Sequence, residues 1–73
     1  MSRLPQISAR ECVNALPKAG FYVARQRGSH IIVRRDQPFA RVSAPNYKVI
    51  KLGTLRGIIN DAGLTVEEFL ELL

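Results

Sequence analysis

Apolar residues recur at helical spacing near both ends of this chain and at alternate positions through its middle. Ala9, Cys12, Val13, Leu16 and Ala19 form one stripe of an amphipathic helix, and Leu55, Ile58, Ile59 and Ala62 form a second. Ser8-Ala9-Arg10-Glu11 has the pattern of a capping box, with Ile7 and Cys12 at the positions of a hydrophobic staple. Pro17 lacks an N–H and predicts a kinked or tightened last turn. Gly20 is placed to stop the first helix and Gly63 the second, which begins near Gly53 or Thr54. Thr65-Val66-Glu67-Glu68 is another capping box, opening a short acidic helix with Phe69, Leu70, Leu72 and Leu73 to bury. The lead-in from Met1 to Ile7, with Pro5, is expected to be loosely ordered.

Between the helices the pattern is that of strands. Phe21 to Gln26 is rich in aromatic and β-branched residues, His30 to Arg35 follows after a tight turn at Arg27-Gly28 or Gly28-Ser29, and Phe39 to Ser43 follows Asp36-Gln37-Pro38. Ala44-Pro45-Asn46-Tyr47 reads as a loop. Period two puts His30, Ile32 and Arg34 on one face of the second strand and Ile31, Val33 and Arg35 on the other. Each face carries an apolar residue, so the pattern leaves open which one the helices cover. The predicted order is helix, three-stranded antiparallel sheet, helix and short C-terminal helix. That is an α+β class with helices on one face of a small sheet, the architecture of the double-stranded-RNA-binding domain. A fold alone does not fix a function.

At 73 residues the chain is expected to be one domain, spanning residues 1–73. One cysteine, Cys12, excludes an internal disulfide and fits a reducing compartment. On the apolar stripe it reads as a buried core thiol. With one histidine and one cysteine, a Cys/His zinc site within the chain is not credible, and no metal or cofactor is expected. No apolar run approaches the roughly 20 residues of a membrane span, and no signal-peptide core is evident. The chain is therefore expected to be cytoplasmic. The formal net charge is +5, but residues 1–56 carry every Lys and Arg against only Glu11 and Asp36, while residues 57–73 carry only acids. A basic body with an acidic end suits a polyanion; a merely solvated basic surface is the alternative.

The candidate chemistry centres on Arg25-Gln26-Arg27-Gly28-Ser29-His30. His30 is the only histidine, and imidazole is the side chain whose unperturbed pKa lies near neutral. RNA carries its own nucleophile in the 2′-hydroxyl. Cleavage then needs a proton acceptor near that hydroxyl, cations for the charge on phosphorus and a donor for the leaving oxygen. His30 supplies a proton-transfer group, with Gly28 and Ser29 in support. Arg25, Arg27 and Arg34 supply cations. A histidine opening a strand and holding a structural hydrogen bond is the competing reading of the residues alone. A second cluster, Lys48, Lys51, Thr54 and Arg56 with Gly53, surrounds the expected start of the second helix, where free N–H groups favour an anion. Ordinary capping with solvated lysines fits those residues equally well.

Ala19-Gly20-Phe21, Arg27-Gly28-Ser29-His30, Lys51-Leu52-Gly53-Thr54-Leu55-Arg56 and Ala62-Gly63-Leu64-Thr65-Val66-Glu67-Glu68-Phe69-Leu70 closely resemble, in order and spacing, the HicA (YcfA-like) toxins of bacterial type II toxin–antitoxin systems. The resemblance runs from Leu4 to Leu73. It implies a double-stranded-RNA-binding-like fold and an mRNA interferase, an endoribonuclease that cuts mRNA without a metal and blocks translation in stress responses. It places the family's functional histidine on His30 and its motif glycine on Gly28. It also implies a HicB-type antitoxin that covers the histidine, with operator DNA contacted only through that antitoxin. Many members carry a second histidine after the third strand, where this chain has Tyr47. That departure leaves Tyr47, Lys48 or water as the proton donor. A non-catalytic RNA-binding module, or a degenerate toxin acting only through its antitoxin, are the alternative functions.

Overall fold

The computed structural model describes residues 3–73, so Met1 and Ser2 of the expected lead-in lie outside the described residues. Helix α1 spans Ala9–Ala15 and opens on the expected capping box. The Ser8 hydroxyl accepts the Glu11 N–H at 3.1 Å, and the Glu11 carboxylate accepts the Ser8 N–H at 3.1 Å. Pro17 tightens the next segment, Leu16–Ala19, into a 3₁₀ turn, in which the proline stands at the start. There its missing N–H leaves no bond unmade. Gly20 ends the turn at φ 92°, a left-handed conformation that needs glycine.

Three strands come after it, β1 Tyr22–Arg27, β2 His30–Asp36 and β3 Phe39–Pro45, in one antiparallel sheet of order β1-β2-β3. Phe21 stands outside β1, buried in the core at 4% exposure. The third strand runs further than alternation suggested. Ala44 and Pro45, expected in a loop, pair with Ile31 and His30. Ala44 packs into the core, and Pro45 ends an edge strand, where a missing ladder donor is tolerated.

Helix α2 spans Leu52–Asp61 and α3 spans Val66–Leu72. The end of α2 is a Schellman turn. The Leu64 N–H reaches the Ile59 carbonyl at 3.1 Å, the Gly63 N–H reaches Asn60 at 3.0 Å, and Gly63 sits at φ 75°. Thr65 and Glu68 form the second capping box, with bonds of 2.8 and 3.1 Å.

The core settles which sheet face is covered. Val33 of β2 and Ala40, Val42 and Ala44 of β3 join Cys12, Leu16, Leu55, Ile59 and Phe69 in one apolar cluster, with Ile31 packed against it. The helices therefore cover the Ile31–Val33–Arg35 face, and His30, Ile32 and Arg34 look outward. Two expectations change. The lead-in is anchored rather than loose from Leu4 onward, because Leu4 and Ile7 belong to the core and the Ile7 carbonyl accepts the Ile50 N–H at 2.8 Å. At the other end only Phe69 of α3 is fully buried, and Leu73 stays exposed, since the short helix turns one narrow face inward.

Arg35, on the covered face, holds the helix ends in place. Its Nη1 donates to the Ala19 carbonyl at 3.2 Å, its Nη2 to Ala62 at 3.3 Å and its Nε to Pro38 at 3.0 Å. Ala19 and Ala62 immediately precede the two left-handed glycines that end the 3₁₀ turn and α2. One side chain thus satisfies a carbonyl at each of these ends.

Candidate functional site

The turn between β1 and β2 is Gly28-Ser29, closed by the pair Arg27 and His30. Gly28 lies at φ 60°, and a Cβ there would meet nothing within 4 Å. Glycine is demanded by the backbone conformation of a two-residue hairpin, not by lack of space. His30 opens β2, the central strand, and stands between Arg27 of β1 and Pro45 of β3. Its side chain is exposed, and no described residue bonds its imidazole. The competing reading, a histidine held by a structural hydrogen bond, finds no partner among the described residues.

The loop after β3 is fastened to this turn. The Asn46 N–H donates to the Ser29 carbonyl at 2.6 Å, and the Tyr47 carbonyl accepts the Ala9 N–H at 2.9 Å. Asn46 is thereby fixed beside Ser29, one residue from His30. Tyr47 is 56% exposed. With Asn46 and Lys48 it lines a shallow cleft whose other wall is Ser8 and Arg10.

Arg25 and Arg27 lie on β1, every residue of which is exposed. The register shifts between Val23 and Arg25, so Tyr22 stands opposite Arg34 while Arg25 stands opposite Ile32. This bulge at Ala24 brings Tyr22, Arg25 and Arg27 onto one face, which strict alternation would have divided. Arg25 and Arg27 have no acidic partner among the described residues.

Arg34 is placed differently from the arginines beside the turn. It lies four residues along β2 from His30, roughly 13 Å at strand spacing. Its Nε bonds Asp36 at 3.0 Å, and its guanidinium lies 5.3 Å from the centre of the Phe39 ring. The Tyr22 hydroxyl donates to the same carboxylate at 3.1 and 3.2 Å. Partial desolvation and this bond to Asp36 push the Tyr22 phenol above its ordinary pKa.

The second cluster gathers around the start of α2. Lys51 is the N-cap residue and contributes no side-chain cap, and the first intrahelical bond runs from the Leu55 N–H to the Lys51 carbonyl at 2.9 Å. The N–H groups ahead of it, at Leu52, Gly53 and Thr54, therefore lack a helical partner. Lys48, Lys51, Thr54 and Arg56 are all exposed. Lys48 is two residues from Asn46. The other three lie beyond the fully buried Ile50, and no hydrogen bond or ion pair among the described residues joins them to the His30 turn.

Sequence reasoning passed over Arg41, which the register sets directly across from Arg34 on the outward face. The signal was in the chain. Ala40, Val42 and Ala44 alternate with Phe39, Arg41 and Ser43, so the small apolar residues claim the core and turn Arg41 outward.

A comparison with curated proteins returns no match. A family model described as the HicA toxin of bacterial toxin–antitoxin systems matches residues 9–64, well over half the chain, from the start of α1 through the turn after α2. Helix, antiparallel meander and helices, with an exposed histidine beside a glycine turn, thus occur in a chain that belongs to the HicA toxin family.

Proposed function

We propose that this toxin is a metal-independent endoribonuclease that cleaves mRNA and so blocks translation, with His30 as the proton-transfer residue. The observation that carries the reading is the setting of His30: exposed, unbonded by any described residue and flanked by Arg27 across the ladder. The 2′-hydroxyl oxygen attacks the adjacent phosphorus, and His30 takes the hydroxyl proton. The new O–P bond closes a 2′,3′-cyclic phosphate as the bond to the 5′-oxygen breaks, and that oxygen leaves with a proton from Tyr47, Lys48 or water. Arg25 and Arg27 stabilise the charge that develops on the phosphoryl oxygens. Gly28 and Ser29 support the turn. Lys48, Lys51, Thr54 and Arg56 hold a flanking phosphate at the open start of α2.

The antitoxin in this reading is HicB-type. It covers His30 with an acidic surface complementary to the basic body and contacts operator DNA on the toxin's behalf. Residues 1–73 act as one toxin domain in the cytoplasm, in stress responses.

Induced expression of the wild type and of His30→Ala in a bacterial host, with both proteins tested on RNA in EDTA, decides the matter. The wild type should arrest growth and cut RNA in chelator, and His30→Ala should do neither while staying folded. Equal behaviour of the two would remove His30 from the chemistry and leave a binding module or a degenerate toxin.

A further inference from the structure

The sheet has one face under the helices and one face open, and the register lays out the open face row by row. Arg27, His30 and Pro45 form the first row; Arg25, Ile32 and Ser43 the second; Tyr22, Arg34 and Arg41 the third. Asp36 and Phe39 close the far end. Phe39 is six residues of β3 from Pro45, which places its ring roughly 20 Å from the His30 row.

Two features of this face call for an occupant. Arg34 and Arg41 stand directly opposite each other, an arrangement that repels unless something negative intervenes. Asp36 offsets Arg34, but the Arg41 side chain has no ion pair or hydrogen bond among the described residues, and neither do those of Arg25 and Arg27. Ile32, between them on the same face, lies outside the cluster beneath the helices and is only 6% exposed. Phe39, meanwhile, leaves 64% of its surface in solvent.

We infer that the open sheet face is a track for single-stranded RNA. Phosphates lie on Arg25, Arg27 and Arg41, a base stacks on Phe39, and the strand is delivered to His30. This rests on the ribonuclease reading above and adds Arg41 and Phe39 to it. The charge of the face selects a polyanion. The exposed ring selects unpaired bases, because a base already stacked inside a duplex has no free face to offer.

Binding is read by fluorescence anisotropy with a labelled oligouridine of about twelve nucleotides, on a His30→Ala background so that cleavage does not intrude. Arg41→Glu should weaken binding about tenfold or more and reduce the salt slope by about 0.7 for the lost phosphate contact. Arg41→Gln should act in the same direction to a smaller extent. Phe39→Ala should cost about tenfold. Arg3→Glu, exposed and outside the three strands, makes the same change in net charge as Arg41→Glu and should stay near the parent. The same oligonucleotide annealed to its complement should bind more weakly than the single strand. If the parent binds RNA, and the His30 protein cuts it, while Arg41 and Phe39 variants match Arg3→Glu, the track is overturned and the ribonuclease reading survives. If the His30 protein neither binds nor cuts RNA, both fall. If Arg41→Glu leaves RNA affinity intact but abolishes capture of the antitoxin, the face is a protein interface and the track is again overturned.

Discussion

The Arg35 guanidinium lies 4.6 Å from the centre of the Phe21 ring while its N–H groups reach the Ala19, Ala62 and Pro38 carbonyls. The aliphatic stem packs where a Gly20 side chain would stand, with Arg35 Cδ 3.4 Å from the ideal Cβ position. A charged donor that closes two helix ends and covers a core aromatic does several jobs at once. Arg35→Met keeps the stem and removes the fork, so it should destabilise by about 2–4 kcal/mol. Arg35→Lys should recover only part of this, because an ammonium lacks the planar fork. Urea unfolding checks both; a loss under about 0.5 kcal/mol for Arg35→Met, the level of an ordinary surface change, would contradict the assignment.

Gly28 should resist substitution on conformational grounds alone. Its φ of 60° lies in the left-handed region, and the space around it is open. Gly28→Ala should cost about 1–2 kcal/mol, and Gly28→Asn less, since Asn visits that region more readily. The Asn46–Ser29 bond reports on the same turn. Amide exchange at Asn46 should quicken in Gly28→Ala ahead of exchange in the β2–β3 ladder.

Gly57 is the opposite case. It sits inside α2, exposed, without a positive φ, and an added Cβ meets nothing within 4 Å. Gly57→Ala should stabilise the protein by about 0.5–1 kcal/mol through reduced backbone entropy of the unfolded chain. A raised thermal midpoint checks this, and a lowered one would mean that α2 does not run unbroken through residue 57.

Burial pushes the Cys12 thiol up to about 11 from an ordinary value of 9.0. Its contribution to stability is therefore fully present below pH 9.0 and is lost as pH rises toward about 11, because in that window the unfolded chain has released a proton the native state keeps. The loss can reach roughly 3 kcal/mol. Unfolding curves at pH 8 and pH 10.5 should separate more for the wild type than for Cys12→Ala. A thiol reagent at pH 8 should react only as fast as the protein opens.

The elements of this fold were legible because each is marked by short-range bonding. Ser8 with Glu11 and Thr65 with Glu68 are capping boxes readable within four residues, and Gly20, Gly28 and Gly63 stand where the backbone turns left-handed. Pro17 forces a tighter turn wherever it is placed. The basic motif with its one histidine was legible for the same reason, as a run of consecutive residues. Placement was not, because contacts between distant residues set it. The exposure of the His30–Ile32–Arg34 face depends on which side the helices chose, and each face of β2 carries both an apolar residue and an arginine. The bulge at Ala24 depends on the pairing of β1 with β2, and it decides that Tyr22 and Arg25 share a face. The engagement of Arg34 by Asp36, and of Arg35 by carbonyls 16 and 27 residues away, rests on side chains meeting across the fold. The chain by itself determined where helices and turns begin and end, since those bonds close within a few residues. Only the tertiary structure decided which arginines hold the protein together and which stand free beside His30, because that choice is made by neighbours remote in sequence.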